Sequence, residues 1–358
     1  MRVAAARGTA FRCYARVDIA FAGGLVGVVG PNGAGKTSLI EMIHFGCAGY
    51  SPRTTTEAQV IRFGSDVTRV EVDVDLRGGP VTSEVGFRPG EPKRVTVAGA
   101  PERSVAGLLS RFPVLVFTPD RLRLVQGPPA LRRAWLDRAV VRLWPALGAV
   151  PAAYARALVQ RNHLLRRIRA GAASPDGLDA WDGVLAAAGA ELVAARERLC
   201  SRLVPPLAAR LTELGGDPGA DSLRLVANTD GPELLATLGS SRRRDIDRGS
   251  TGRGPHLDDV ELHEAGSDVR RYGSQGEQRR MLLGLILAEA DLLAEERDEL
   301  PLLLLDDVTG EFDAERRALL LDAVGRFDQA ILTSTDEADL GGRATAIVRV
   351  ADGVARAA

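Results

Sequence analysis

Gly30-Pro31-Asn32-Gly33-Ala34-Gly35-Lys36-Thr37, followed by Ser38, has the residue types and the spacing to hold a polyphosphate. Glycines at this density let successive backbone N–H groups turn toward one anion, a lysine reaches the outer phosphates, and the next hydroxyl ligates Mg²⁺. A second stretch near the far end of the chain, Leu302-Leu303-Leu304-Leu305-Asp306-Asp307, supplies two carboxylates. Asp306 is placed to hold Mg²⁺ with Thr37, and Asp307 to orient or deprotonate an attacking water. Among the 46 basic residues only Lys36 and Lys93 are lysine. A compact ammonium is thus kept inside the phosphate loop in a chain that otherwise uses the planar guanidinium.

The elements that must position these groups are readable beside them. Leu25-Val26-Gly27-Val28-Val29 is a short apolar strand ending at the glycine turn, and Ser38 to Ile43 continues with helical character. Four leucines before Asp306 describe a buried strand that delivers its carboxylates to the C-terminal edge of a parallel sheet, where the phosphate loop also opens. Between the two motifs, Ser274-Gln275-Gly276-Glu277-Gln278 caps the helix-like run Arg279 to Ala288 and makes a second phosphate-binding helix end. One chain already has its phosphate loop. A second such end is what a composite site across a dimer needs, with Ser274 and Gly276 of one copy meeting the nucleotide held by another.

At 358 residues there is room for two or three structural units, taking roughly 100–200 residues per domain. Hydrophobic residues make up 45% and charged residues 26%, ordinary globular usage. Cys13, Cys47 and Cys200 are odd in number and scattered, which argues against a disulfide framework. His44, His163, His256 and His263 lack metal-ligand spacing, so no metal beyond Mg²⁺ is expected. With no apolar run of about 18 residues and no signal-peptide core, the chain reads as soluble, cytoplasmic and without a membrane partner.

Arg16 to Phe21 alternates like a strand, and Gly23-Gly24 turns it into the apolar strand before the loop. Residues 59–63, 67–76, 81–87 and 94–97 read as an antiparallel meander, with Val70, Val72, Val74 and Leu76 on one face; Val114 to Phe117 reads as a buried parallel strand. Beyond Pro128-Pro129 the pattern turns helical over 130–144, 152–169, 179–200 and 206–214, then returns to strand at 222–226 and to a polar, arginine-rich loop at 241–253. The net charge is −1, yet 121–169 carries eleven arginines against the single acid Asp137. Such a block is either a surface for a phosphate backbone or a solvated face balanced by acids elsewhere.

The ordered series resembles the ABC-type ATPase heads, and within them the RecF family, which is related to SMC-type heads. The residues that carry the likeness are Phe11-Arg12, Val29 to Glu41, Arg53-Thr54, Phe117-Thr118-Pro119-Asp120 with Leu131 to Asp137, Gln160-Arg161-Asn162, Gly254-Pro255-His256 with Asp258-Asp259, Ser274 to Arg279 and Leu303 to Val308. Three departures stand out: Pro52 where Phe is usual, Leu257 for an expected Arg, and Gly310-Glu311-Phe312-Asp313 as a variant of the Ser-Glu-Leu-Asp turn that meets the dimer seam. A transporter-type switch histidine is missing, with Leu332 to Asp336 at its place, so hydrolysis is expected to be slow.

The expected fold is therefore α/β, an ABC-type P-loop ATPase head with an antiparallel β subdomain: an N-terminal ATPase lobe of residues 1–120 with the phosphate loop and meander, a helical insertion of 121–220, and a C-terminal ATPase part of 221–358 with the serine-led cap and the acidic strand. Expected catalytic groups are Lys36, Asp307 and Ser274. The resemblance adds Arg12 and Arg53 to the nucleotide-binding set, and implies a weak DNA-stimulated ATPase that dimerises on ATP, binds double-stranded DNA or a single-strand/double-strand junction, and acts with RecR and RecO to help RecA, in recombinational repair and the SOS response. Arg132, Arg133, Arg161, Arg166 and Arg167 are the expected DNA contacts. One rival is the nucleotide-binding subunit of an ABC transporter, which shares the loop, the serine-led signature and the acidic strand but is disfavoured by the missing histidine and the basic helical insertion. The other is a P-loop kinase of a small metabolite, which has no use for the serine-led cap.

Overall fold

One helix is gripped between two six-stranded sheets, and that sandwich organises the nucleotide half of the chain. The computed structural model describes residues 1–219, 222–308 and 314–357. Strand β1 (Arg2–Phe11) turns through Arg12 and Cys13 into β2 (Tyr14–Ala20), pairing Gly8 with Val17 and Phe11 with Tyr14. The chain then leaves that sheet. β3 (Gly24–Val29) lies in the second one, so Gly23-Gly24 carries the chain across to another sheet and does not turn it back beside β2. The reason is in the side chains: β2 alternates, whereas β3 is apolar at nearly every position and suits a strand covered on both faces.

Helix α1 (Lys36–Ala48) is buried at every residue from Leu39 onward, as a helix apolar all round must be. One side meets β4 (Thr68–Leu76) and β5 (Gly79–Phe87), which with β6 (Arg94–Val97) and β7 (Ala100–Pro101) extend the antiparallel order β2-β1-β4-β5-β6-β7. Val70, Val72 and Val74 on β4 are fully buried, while Leu76 is half-buried. Residues 59–63 do not form a strand: Glu57–Val60 is a 3₁₀ turn, and Ile61 makes a lone bridge to Phe11.

After α2 (Val105–Arg111) comes β8 (Val114–Phe117), then α3 (Arg123–Gln126), α4 (Pro129–Leu143), α5 (Val150–Arg169) and α6 (Leu178–Glu213). β9 (Leu223–Val226), α7 (Leu234–Arg248), β10 (Asp259–Glu264) and β11 (Ser267–Asp268) follow, with order β11-β10-β9. Then come α8 (Val269–Tyr272), α9 (Gln275–Arg297), β12 (Leu302–Leu305), α10 (Ala314–Val324), β13 (Gln329–Ser334), β14 (Ala346–Ala351) and β15 (Val354–Ala357). The second large sheet runs β15-β14-β3-β13-β12-β8, parallel from β14 to β8. Among the described residues no helix is long and apolar enough to cross a membrane.

Two helical expectations are corrected. The helices expected over 179–200 and 206–214 are one helix of 36 residues, α6 (Leu178–Glu213), with Pro205 and Pro206 inside it. Leu199, Leu203, Leu207 and Leu211 recur every fourth position, fully buried in the core they share with α9, and this seam outweighs the donors that the two prolines lack. The arginine-rich loop expected at 241–253 is mostly the helix α7. Its buried face holds Leu234 and Leu238 but also Asp245, which accepts from Arg161 at 2.8 Å, so ions replace the apolar positions that periodicity would detect. α5, the first half of α6 and α7 share a small separate core around Tyr154, Leu185 and Leu234, so this arm draws its third helix from beyond residue 220. α4 and the second half of α6 join the main core instead.

Pro205 is exposed and removes a backbone donor from the middle of α6. Pro205→Ala is expected to stabilise the chain by about 1 kcal/mol, read as a higher denaturant midpoint at unchanged slope. A lower midpoint would mean that the helix needs its proline bend.

Candidate functional site

In the parallel sheet β13 lies directly between β3 and β12, so motifs 269 residues apart in sequence open side by side, about 10 Å apart at their strand ends. Thr37 Oγ1 donates to Asp306 Oδ1 at 3.0 Å, and Thr333 Oγ1, from the intervening strand, donates to the same oxygen at 2.8 Å. Asp306 is buried, and that desolvation pushes its carboxyl above the usual range, against the two hydroxyl bonds and the charge of Arg53, which lower it. A buried carboxylate oxygen beside a threonine hydroxyl is the hard oxygen set that suits Mg²⁺, which keeps most of its shell for water and phosphate. Among the described residues no group of three or more His, Cys, Asp or Glu side chains is placed to share a metal ion. Thr333 was not singled out from the sequence; its only signal is a polar residue ending an apolar strand.

The phosphate loop is held in shape by its own contacts. Lys36 Nζ donates to the Gly30 and Pro31 carbonyls at 2.7 and 3.0 Å, and burial lowers its pKa while Asp307 and Asp306 raise it. Gly30 has no room for a side chain, since a Cβ there would overlap the Val350 carbonyl. Pro31, Asn32 and Gly33 are exposed, Ala34 is buried, and Gly35, Thr37 and Ser38 are half-buried. Gly35 stands at φ 117° against the β1–β2 turn, where Tyr14 Oη donates to its carbonyl at 3.0 Å. Beyond it the first N–H groups of α1 have no partner within the helix and face an incoming anion.

Arg12 and Arg53 flank this helix, both held by Glu41. Arg12 donates to it through Nε and Nη2 at 2.9 and 2.6 Å, Arg53 through Nη1 at 3.2 Å, and Ser51 Oγ adds a bond of 2.6 Å. Glu41 is the buried anchor that the sequence reading missed. Its signal is there to be seen, a lone acid inside an otherwise apolar helix.

Asp307 leaves the strand in the left-handed region, φ 50°, its N–H bonded to Thr333 Oγ1 at 2.8 Å, and its side chain is exposed. Ser274 caps α9 in a reciprocal box: its Oγ accepts from the Glu277 N–H at 3.3 Å, and Glu277 accepts from the Ser274 N–H at 2.7 Å. Ser274 is exposed, Gly276 half-buried, and among the described residues no hydrogen bond joins either to the phosphate loop. The Gly310 to Asp313 turn lies outside the described residues.

The expected DNA contacts divide. Arg132 is buried, with both arms on Asp259 at 2.7 and 3.0 Å, and Arg161 is buried between Asp182 at 2.6 Å and Asp245 at 2.8 Å. Both guanidinium groups are used inside the fold, which corrects their assignment as phosphate contacts. Arg133 is half-buried and donates to the Asp258 carbonyl at 2.8 Å. Arg166 and Arg167 are exposed at the end of α5, where Arg169 joins them by donating to the Arg248 carbonyl of α7 at 2.8 Å. Arg243, Arg244 and Arg248 on α7 are also exposed, and none of these six makes an ion pair among the described residues. His256 is structural: Tyr154 Oη lies 2.7 Å from its Nδ1 and the Thr251 carbonyl 3.1 Å from its Nε2.

A family model described as an AAA domain matches residues 9–97. "DNA replication and repair protein RecF" of Chloroflexus aurantiacus is 36% identical over 371 aligned positions, covering 95% of this chain and 94% of that protein. The protein of the same name from Frankia alni is 37% identical, with 92% of each covered. Among solved structures, the recombination mediator protein RecF-ATP in the RecFOR pathway superposes with a TM-score of 0.91 at 26% identity, covering 99% of this chain and 97% of that one. An SMC head bound to the C-terminal winged-helix domain of ScpA matches at 0.57 and 16% identity, a likeness of fold alone.

Because Asp306 ionises only against desolvation, its raised folded pKa makes the empty protein lose stability as pH climbs from the ordinary carboxyl value through the raised one. Asp306→Asn keeps the acceptor for Thr37 and Thr333 and removes the charge. The unliganded variant is expected to melt roughly 2 °C higher at neutral pH, with the gain vanishing in acid, while losing Mg²⁺-dependent nucleotide binding. A variant that melts lower at neutral pH would refute the assignment.

Proposed function

The chain belongs to the RecF family, and from that premise we propose that it is an ATP-dependent DNA clamp of recombinational repair whose two nucleotide sites are completed only in a dimer. The observation that carries this reading is the split site. Lys36, Thr37 and Asp306 converge on one edge of the sheet, while the capped helix end at Ser274 is exposed and unconnected to it. ATP held by the loop of one chain would be closed by Ser274 and Gly276 of a second copy, with Arg12 and Arg53 at the flank of α1. Mg²⁺, held through Thr37 and Asp306, would neutralise charge on the outer phosphates.

Asp307, exposed at the strand end, is suited to orient a water and accept its proton as the oxygen attacks the γ-phosphorus and ADP leaves. No histidine stands at the end of β13, so one polariser is lacking and turnover would be slow. Hydrolysis would reopen the dimer. Family membership sets aside the transporter subunit. It also supports work with RecR and RecO in assisting RecA. For DNA, the unpaired arginines where α5 and α7 end make a better phosphate surface than Arg132 or Arg161.

Two measurements test the proposal. Scattering with ATP, with ADP and without nucleotide is expected to give a dimer with ATP alone, and Ser274→Arg should still bind ATP yet stay monomeric; a variant that dimerises normally reduces the serine to a cap. With ATP present, DNA affinity should fall steeply with salt, and Arg166→Ala/Arg167→Ala should reduce the log–log slope by about one for each phosphate that the variant leaves unneutralised. An unchanged slope would remove the arm from the DNA interface.

A further inference from the structure

A cavity of about 500 Å³ lies beside the far half of α1, away from the phosphate loop. His44 on its wall stands two turns beyond Lys36, about 12 Å along the helix axis. Four guanidinium groups, those of Arg53, Arg121, Arg123 and Arg138, line the cavity against the single carboxylate of Asp120. That carboxylate lies 3.6 Å from Arg53, which Glu41 also holds at 3.2 Å. Arg121, Arg123 and Arg138 make no ion pair among the described residues.

Two of these three cations are tethered. Arg121 follows β8 and donates from Nη1 to the Val116 carbonyl at 2.6 Å, and the Arg138 guanidinium lies over the Tyr50 ring at 4.5 Å. Tyr50 is fixed in turn, because its carbonyl lies 3.0 Å from His44 Nδ1. A carbonyl only accepts, so the proton sits on Nδ1, and burial with the charge of Arg121 pushes the His44 pKa down to about 3. The histidine is neutral and adds no charge to the wall. Burial also lowers the pKa of Arg121, with Arg142 and Arg138 acting the same way against Tyr50 and Glu289. Arg121 and Arg138 are half-buried, and cations that line one space without a counter-ion repel each other where water screens them least.

We infer that this cavity binds the diphosphate group of a small soluble ligand, at an anion site separate from the phosphate loop. Three guanidinium groups without a carboxylate answer the several negative charges of a diphosphate, and their planar forks suit its oxygens. Leu124, Leu131 and Trp135 supply an apolar wall beside the charges, on which the organic part of such a ligand rests. A duplex meets exposed side chains such as Arg166 and Arg167, whereas a half-buried guanidinium is reached by a molecule that fits inside the cavity.

Calorimetric titration of the full chain with inorganic pyrophosphate, in the absence of Mg²⁺, tests the site. Lys36→Ala removes the loop ammonium and should keep a pyrophosphate site; adding Arg121→Gln or Arg138→Gln should weaken that site about tenfold. Arg123→Gln, at an exposed residue whose side chain makes no hydrogen bond among the described residues, should weaken it about threefold without disturbing the fold. Uridine diphosphate separates the sources: tighter binding than pyrophosphate puts an organic group on the apolar wall, and equal binding makes the free anion the ligand. Loss of all pyrophosphate binding in Lys36→Ala, or unchanged affinity in the three arginine variants, overturns the site. Variants that keep pyrophosphate affinity but lose affinity for duplex DNA assign these arginines to a nucleic-acid surface and overturn it as well.

Discussion

A carboxylate held dry under two hydroxyls is the constraint from which the rest of the nucleotide half follows. Thr37 and Thr333 bring Asp306 to the bottom of the site, and that convergence exists only because β3, β13 and β12 run parallel in adjacent register. A polar side chain at the end of β13 would otherwise have no reason to be there. Burial raises the energy of the ionised acid, and a cation held beside it would offset that cost.

Arginine does most of the fastening elsewhere. Arg132 binds Asp259, Arg196 joins Asp137 and Asp258 at 2.8 and 2.9 Å, Arg142 meets Glu289 at 2.6 Å, and Arg161 ties α5 to α6 and α7. Several of these residues lie in the segments that carry the resemblance to the RecF family. Their role in this chain is to fix how the arm and the second half of the head meet the sheet. Ion pairs this deep contribute little net stability because both charges lose water, but breaking one partner leaves a stranded charge, so they select one arrangement strongly.

The parts legible in the sequence are those written in consecutive residues. The phosphate loop, β4, β5, β6, β12 and the Ser274 cap each carry a local pattern, and each stands where that pattern placed it. What escaped is what depends on a distant partner. Pro205-Pro206 reads as a break until the leucine seam on α9 is seen; α7 reads as a loop until Asp245 is seen to meet Arg161. The eleven arginines of 121–169 read as one block, yet the fold sends Arg132 and Arg161 inward and leaves Arg166 and Arg167 in water. Charge counts along a chain do not say which side of a helix faces acid and which faces solvent.

Helix α1 carries the phosphate loop at its front end and is clasped along its length by sheets on opposite sides. Close-packed interiors yield little, so a push of a fraction of an ångström at Lys36 cannot be absorbed locally. The phosphate loop and the meander therefore share one packed layer, in which the apolar residues of α1 fill the space between the two sheets.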